Sequence, residues 1–355
     1  MVRQVPLYRV EIVNMLLNSG NQLDELEDVH MVDTAGKANT NGQPKVARIN
    51  PNIGAEISNI DLSKAMTDTE FQTVHDALVE HEVIVLKKQD ITTDQFMAFG
   101  ERFGTLSVHP FSPNMEEKPA VIILDNHGKN PPRLTDVWHS DETFRANPPM
   151  GTILRCRISP EIGGDTMFAS MTCAYEGLSD RMQQLIDGLE AVHDFTPFRT
   201  LFGDSADDRQ KLRKIEDEFP NPKHPVVRVH PVTGRRILNV NPQFTTRILG
   251  MSERESRSTL EFLFAQALIP EYQLRVRWEV DQIVFWDNRS THHYAVHDYY
   301  PQRRRMERIT IVGDRPVGVE VTASQAGAGV KTKALRSQGL KREDADVPVR
   351  KFERA

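Results

Sequence analysis

The sequence predicts a mainly β fold with helices added outside it, a double-sheet jelly roll rather than a doubly wound sheet. Three observations point there. Many short apolar runs are punctuated by Pro and Gly turns, and helices sit to the outside of them. The 355 residues are 39% hydrophobic, enough to bury a sizeable core in one large domain or two ordinary ones.

Residues 1–44 differ in character from the rest of the chain and read as an N-terminal extension and linker. Thr34 to Lys45 is rich in Gly, Asn, Thr and Ala, and Leu7 to Leu17 could form a short helix or arm packing on this chain or a neighbour. The jelly-roll domain is expected over 45–318, its compact part beginning near Ala47. Thr67 with Glu70 is a capping-box pattern, and Phe71, Val74 and Leu78 follow at helical spacing to about Glu82. Val83 to Leu86 then reads as a buried strand. A second helix starts after Thr93, with Phe96, Phe99 and Phe103 on one face. Further strands are expected at Val121 to Leu124, Thr152 to Cys156, Thr166 to Ala169, Val226 to Val229, Ile237 to Val240, Gln282 to Trp286 and Arg308 to Val312. Helices are expected over Ser179 to Leu189 and Ser252 to Ala267, the latter opened by a second capping box, Ser252 with Glu255. From Val319 the chain is polar, basic and Gly/Ala-rich, an expected C-terminal tail over 319–355.

Charge and cysteine usage exclude several classes. A formal charge of -6, from 44 basic and 50 acidic residues, argues against a nucleic-acid surface. Two cysteines, Cys156 and Cys173, cannot make a disulfide framework, so a reducing cytosol is expected. The apolar stretch Val10 to Leu17 is interrupted by Glu11 and Asn14, and no segment reaches the roughly 20 apolar residues that span a bilayer. A cytoplasmic protein without membrane or nucleic-acid partners, assembled as a homo-oligomer, is the expectation.

The sharpest local feature is Trp138-His139-Ser140-Asp141. In an extended segment residues i and i+2 point the same way, so His139 and Asp141 can reach one ion. A second histidine from a distant strand would complete a face of two nitrogens and one carboxylate oxygen, a set that leaves positions open on Fe(II). Downstream, Trp286-Asp287-Asn288-Arg289-Ser290-Thr291-His292-His293 follows an apolar strand and is expected to open into a turn, with a histidine at the strand end. Arg304, Met306 and Arg308 would share a face of the next strand if it is extended there. Arginine suits a dicarboxylate, because its planar fork meets a carboxylate through two parallel hydrogen bonds. Each part alone has a bland explanation: paired histidines are more often surface residues, and Gly163-Gly164-Asp165-Thr166 is usually just a turn. Their order and spacing together favour an iron site with 2-oxoglutarate as co-substrate.

With these motifs in place, the sequence resembles the taurine dioxygenase and 2,4-dichlorophenoxyacetate dioxygenase family. The resemblance runs from Ile53-Gly54-Ala55-Glu56-Ile57 to Gly313-Asp314-Arg315-Pro316. It includes Phe103-Gly104-Thr105-Leu106, Gly163-Gly164-Asp165-Thr166 and His293-Tyr294-Ala295 besides the two metal motifs. It implies a double-stranded β-helix of the clavaminate synthase-like kind, and Fe(II) held by His139, Asp141 and His293, with His292 only a neighbour. Thr166 and Arg304 would hold the distal carboxylate of 2-oxoglutarate, and Arg308 would lie near its keto-acid end and the substrate anion. The implied reaction uses O2 to hydroxylate a substrate C–H bond, while 2-oxoglutarate is decarboxylated to succinate and CO2. Asp141 favours that outcome over halogenation, since related halogenases lack this carboxylate.

His109, in Val108-His109-Pro110, matches the family histidine that contacts the substrate's acidic group. With Arg308 it implies a small anion, a sulfonate, alkyl sulfate or aryloxyalkanoate. Taurine enzymes carry Asn at the position of Thr135 and Tyr at that of Ser112, so taurine itself is disfavoured. Phe195 and Phe244 could line an apolar wall or pack in the core. Two other classes stay open: a zinc-dependent hydrolase on the same ligands, which leaves Thr166, Arg304 and Arg308 without a purpose, and a non-catalytic jelly-roll binding protein.

Overall fold

A computed structural model of the chain describes residues 42–199 and 201–320. Seven strands form the larger sheet, in the order Lys45–Arg48, Ala55–Ser58, Val83–Leu86, Ile283–Asp287, Gly151–Ile158, Arg304–Ile311, Ile122–Asn126. All neighbours are antiparallel except Ala55–Ser58 beside Val83–Leu86. A smaller antiparallel sheet sets Thr166–Ser170 between Gln273–Val276 and Thr291–Ala295.

Period-two alternation explains how one sheet serves two cores. Val83, Val85, Leu154, Cys156, Val284, Trp286 and Met306 pack with Phe168, Leu274 and Val276 of the smaller sheet. Their neighbours Ile84, Leu86, Ile153, Ile283, Phe285, Ile309 and Ile311 point the other way, onto the helices. Because both faces are covered, the central strands read as unbroken apolar runs, which is why Val83–Leu86 is legible without alternation.

The first helix, Asp68–His81, is opened by the expected capping box: Thr67 and Glu70 each accept the other's backbone N–H. It buries Val74, Ala77 and Leu78 against the larger sheet. The second, Thr93–Glu101, buries Phe96 and Phe99 on the same face; each such ring contributes roughly 1.5–3 kcal/mol of burial free energy. Phe103 lies just past its end and stacks edge-on to Phe285. Gly100 allows the close approach, since a Cβ there would lie 2.6 Å from Ile309 Cδ1.

Several elements differ from the sequence expectation. The last strand begins at Arg304, four residues before the expected Arg308, because pairing with Ile122–Asn126 on one side and Gly151–Ile158 on the other holds its first residues extended although four of the first five are charged. Strands Glu190–His193, Gln273–Val276 and Thr291–Ala295 mix charged residues or histidines among their apolar ones, and Thr245–Ile248, though rich in β-branched residues, is only four residues long, so none stands out in the sequence. Helix Ala206–Glu218 buries none of its side chains fully, so it has no clear apolar stripe. The expected arm at Leu7 to Leu17 lies outside the described residues, as does the tail beyond 320. Among the described residues, no helix is long and apolar enough to cross a membrane.

Candidate active site

His139, Asp141 and His293 converge, with one potential ligand atom from each within 4.8 Å of the others. Asp141 Oδ1 lies 3.8 Å from His139 Nε2 and 3.7 Å from His293 Nε2. Two backbone hydrogen bonds fasten the histidines together: each N–H donates to the other's carbonyl, at 3.1 and 2.8 Å. His139 Nδ1 lies 2.6 Å from the Val137 carbonyl, which can only accept, so Nδ1 carries the proton and Nε2 presents its lone pair to the site. Asp141 is fixed from both ends. Its N–H donates to Asn288 Oδ1 at 2.7 Å, its carbonyl accepts from Asn288 Nδ2 at 3.0 Å, and its Oδ2 accepts from Thr152 at 2.7 Å. Burial opposes the charge on this carboxylate, but the Arg308 guanidinium beside it and the Thr152 hydroxyl hold it well below the usual range.

The turn expected after Trp286 is short, and both histidines lie inside the next strand, Thr291–Ala295, not at a strand end. Alternation separates them. His293 stands opposite Phe168 and faces the space between the sheets, whereas His292 stands opposite Ala169 and points to the other layer. His292 is buried with neither ring nitrogen hydrogen-bonded, and burial holds its pKa down at about 3.

A cavity of about 100 Å3 extends from His139 and His293 to Thr166, Arg304 and Arg308. Arg304 and Arg308 do share a face of strand Arg304–Ile311, and Met306 between them is buried in the inter-sheet core. Gly163 and Gly164 have φ of +81° and +73°, the left-handed region that favours glycine. That turn aims the Gly164 carbonyl at Arg304 Nε, 2.9 Å away. Thr166 Oγ1 accepts from Trp278 Nε1 at 2.9 Å and lies 3.4 Å from Arg304 Nη2, so its own proton remains available to donate. No local sequence pattern marks Trp278. Asn288 is part of the Trp286-Asp287-Asn288-Arg289 motif, although its role as the anchor of Asp141 needs the fold to be seen.

His109 and Glu142 do not line that cavity but lie beside Arg308 and Asp141. Arg308 Nη2 is 3.1 Å from Asp141 Oδ1 and 3.7 Å from Glu142 Oε1, and His109 Nε2 is 3.9 Å from the same Glu142 oxygen. His109 Nδ1 accepts the Phe111 N–H at 3.1 Å, leaving the proton on Nε2, and burial holds its pKa down at about 3. Ser112 Oγ sits 2.9 Å from the same Nδ1, and Thr135 Oγ1 sits 3.0 Å from His297 Nε2. Phe195 and Phe244 are buried with Phe144 in an aromatic cluster, against which Phe111 and Phe198 pack. Its rings approach His109 through Phe198, 5.8 Å between centroids, and His139 through Phe244, 6.4 Å. Both roles expected for Phe195 and Phe244, wall and core, are thus compatible with where they stand.

The family model described as "Taurine catabolism dioxygenase TauD, TfdA family" matches residues 45–310. The chain belongs to this family. It is a 2-oxoglutarate-dependent dioxygenase, whose class uses Fe(II) and O2. Among its relatives, an alkylsulfatase of Acinetobacter baylyi is 33% identical over 87% of this chain and 95% of its own length. An α-ketoglutarate-dependent sulfate ester dioxygenase of Pseudomonas putida is 36% identical over 76% of this chain and 89% of its own. A solved taurine dioxygenase from Burkholderia xenovorans superposes with a TM-score of 0.67 at 34% identity, covering 81% of this chain and 98% of that one. Membership in this family decides against the zinc hydrolase and the non-catalytic binding protein. The donor set fits the family's metal as well, since two imidazole nitrogens and one carboxylate oxygen on one side leave the remaining positions free.

Proposed function

We propose that His139, Asp141 and His293 hold Fe(II), that Arg304 and Thr166 hold the distal carboxylate of 2-oxoglutarate, and that His109 and Arg308 hold the acidic group of a small organic anion. The observation that carries this reading is the cavity running from the two histidines to the buried Arg304, which is the one arginine of the pair held by a backbone carbonyl and a hydroxyl. A carboxylate entering there meets a guanidinium and an O–H donor, while the keto-acid end reaches the metal ligands. Iron and 2-oxoglutarate, when bound, supply the oxidising chemistry that hydroxylates a substrate C–H bond and yields succinate and CO2. The protein's part is to bind, orient and exclude water. His139 and His293 stay neutral through burial and present nitrogen lone pairs. The His109 Nε2–H and the Arg308 guanidinium are donors on the substrate side, and the phenylalanine cluster beside them suits an alkyl or aryl body.

A sulfonate, an alkyl sulfate or an aryloxyalkanoate meets these requirements, and relatives named for sulfate esters support the first two. The jelly-roll topology belongs to the same proposal: two sheets enclosing one core, with the metal ligands at its mouth, support it. The proposal also takes in the domain limits 45–318, which contain the matched segment, a cytoplasmic setting, which two free cysteines suit, and assembly as a homo-oligomer. The test is a panel of sulfonates, alkyl sulfates and phenoxy acids, read by succinate release with Fe(II) and ascorbate. Substrate-stimulated release is expected; an inert panel would overturn the substrate class, and no visible band on anaerobic addition of 2-oxoglutarate would overturn the site.

A further inference from the structure

Glu142 follows directly on Asp141 but is not among the residues proposed to hold metal, co-substrate or anion. Its backbone has φ +51°, a left-handed conformation that a non-glycine residue adopts only when its surroundings hold it there. The side chain is 2% exposed. Oε2 accepts from Arg145 Nε at 2.6 Å, and Arg145 is itself fixed by donating to the Val108 carbonyl at 3.1 Å and by lying over the Phe219 ring. Oε1 is different: it is buried and has no hydrogen-bond partner. It stands 3.9 Å from His109 Nε2 and 3.7 Å from Arg308 Nη2, too far for a hydrogen bond to either.

A buried carboxylate oxygen without a donor is costly, and this one sits beside the two groups proposed to hold an anion. A substrate whose acidic group is flanked only by CH2 would bring a second negative oxygen close to Oε1 with nothing between them. A substrate with a hydroxyl or ammonium next to its acidic group places a donor in that gap. The residues at the taurine enzymes' amine positions, Thr135 and Ser112, are neutral hydroxyls already hydrogen-bonded to His297 and His109. Glu142 Oε1 is instead a carboxylate oxygen with no partner. We propose that Glu142 sets substrate specificity, its free oxygen accepting a hydrogen bond from a hydroxyl or ammonium that the preferred substrate carries close to its acidic group. This rests on the reading that His109 and Arg308 hold that acidic group.

Three ligands of one size test it: propane-1-sulfonate, 2-hydroxyethanesulfonate and 2-aminoethanesulfonate, which differ only in a terminal methyl, hydroxyl or ammonium; the last is taurine, disfavoured by Thr135 and Ser112 alone but given an amine partner if Glu142 acts as proposed. Affinities are measured by anaerobic calorimetry on the full chain with Fe(II) and 2-oxoglutarate. The wild type is expected to bind the hydroxyl and ammonium members about tenfold or more tighter than the methyl member. Glu142→Leu should bring that ratio close to one, and Glu142→Gln should keep the hydroxyl preference while losing the extra affinity for ammonium. Because the readout is a ratio within each variant, partial misfolding, which lowers all three affinities together, does not imitate the result. Equal or tighter binding of propane-1-sulfonate by the wild type, or an unchanged ratio in Glu142→Leu, would overturn the inference alone. If none of the three binds although the 2-oxoglutarate band forms, the inference fails by itself, and the anion reading falls only if the wider panel of alkyl sulfates and phenoxy acids is inert too.

Discussion

Arg308 brings Nη2 to 3.1 Å from Asp141 Oδ1, the same oxygen that faces the Nε2 atoms of His139 and His293. The pair is an ion contact without the alignment of a hydrogen bond, since Nη2 has no hydrogen-bond partner. Arg308 is therefore placed to balance the charge of Asp141 and still has a donor to offer a ligand. The arrangement joins the metal side of the site to the substrate side through one carboxylate.

That carboxylate is the first prediction. Asp141→Ala should abolish substrate-dependent succinate release while the far-ultraviolet circular dichroism stays that of the wild type, because the backbone anchors from Asn288 do not depend on the side chain. Succinate release at the wild-type rate would remove Asp141 from the ligand set.

The second concerns the co-substrate. Arg304→Ala should raise KM for 2-oxoglutarate by on the order of tenfold to a hundredfold, the worth of a hydrogen bond to a charged group. Arg304→Lys should recover little, because the three donors of an ammonium sit on one nitrogen and cannot span the Gly164 carbonyl and the ligand as the planar guanidinium does. Thr166→Val should have a smaller effect, of about tenfold or less, since only one neutral donor is lost. Steady-state titrations of 2-oxoglutarate decide it, and an unchanged KM in Arg304→Ala would relocate the distal carboxylate.

Much of this site is legible in the sequence because its parts are short and local. His139 and Asp141 are two residues apart, and Arg304 and Arg308 are spaced along one face of one strand. The choice of His293 over His292 rests, in sequence, on resemblance; its physical basis, alternation within Thr291–Ala295, requires knowing that the segment is a strand paired with Thr166–Ser170. Trp278 and Glu142 are hidden in the sequence for different reasons. Trp278 reaches Thr166 across 112 positions of sequence, so no local pattern can mark it. Glu142 lies beside a metal-binding motif but looks like a surface acid; only its burial and unmet oxygen set it apart. Helices are clearest where a capping box opens them, as at Thr67 and Ser252, and obscure at Ala206–Glu218, where no face is fully buried.

The third prediction is acid lability away from the metal ligands. His224 Nε2 is 3.0 and 2.9 Å from the Thr143 and Arg145 carbonyls, and burial pulls its pKa from 6.5 down to about 4. His193 is pulled well below its ordinary value by burial and by its neighbour His224. Between pH 6.5 and 4 the unfolded chain binds protons at these positions and the folded chain does not, so stability falls as pH falls. For His224 the loss is on the order of 3 kcal/mol over that window. Denaturant titrations from pH 7 to 4 should show the fall, and His224→Gln should flatten it; an identical slope in the variant would remove His224 as a cause.

Glu82 supplies the opposite slope and the last prediction. It caps helix Asp68–His81 at φ +64°, its N–H donating to the Leu78 carbonyl at 2.8 Å, while its own carbonyl accepts the Asp287 N–H at 2.8 Å. The backbone thus ties the helix end to the start of the metal-bearing segment and carries the side chain inside, where Thr172 donates to Oε1 and Oε2 has no partner. Burial pushes the carboxyl up to about 7 from an ordinary 4.5, against the pull of Thr172. Between pH 4.5 and 7 the unfolded chain has released this proton and the folded chain still holds it, so the contribution of Glu82 to stability is full below 4.5 and is lost as pH rises through about 7. The loss is on the order of 3 kcal/mol. Glu82→Gln keeps the shape without the titration, so its stability should not decline over that range and should exceed that of the wild type above pH 7. The same denaturant series separates the two groups, because the slopes have opposite signs: a wild type and a Glu82→Gln variant with parallel profiles from pH 5 to 8 would show that the buried carboxyl is not protonated in the fold.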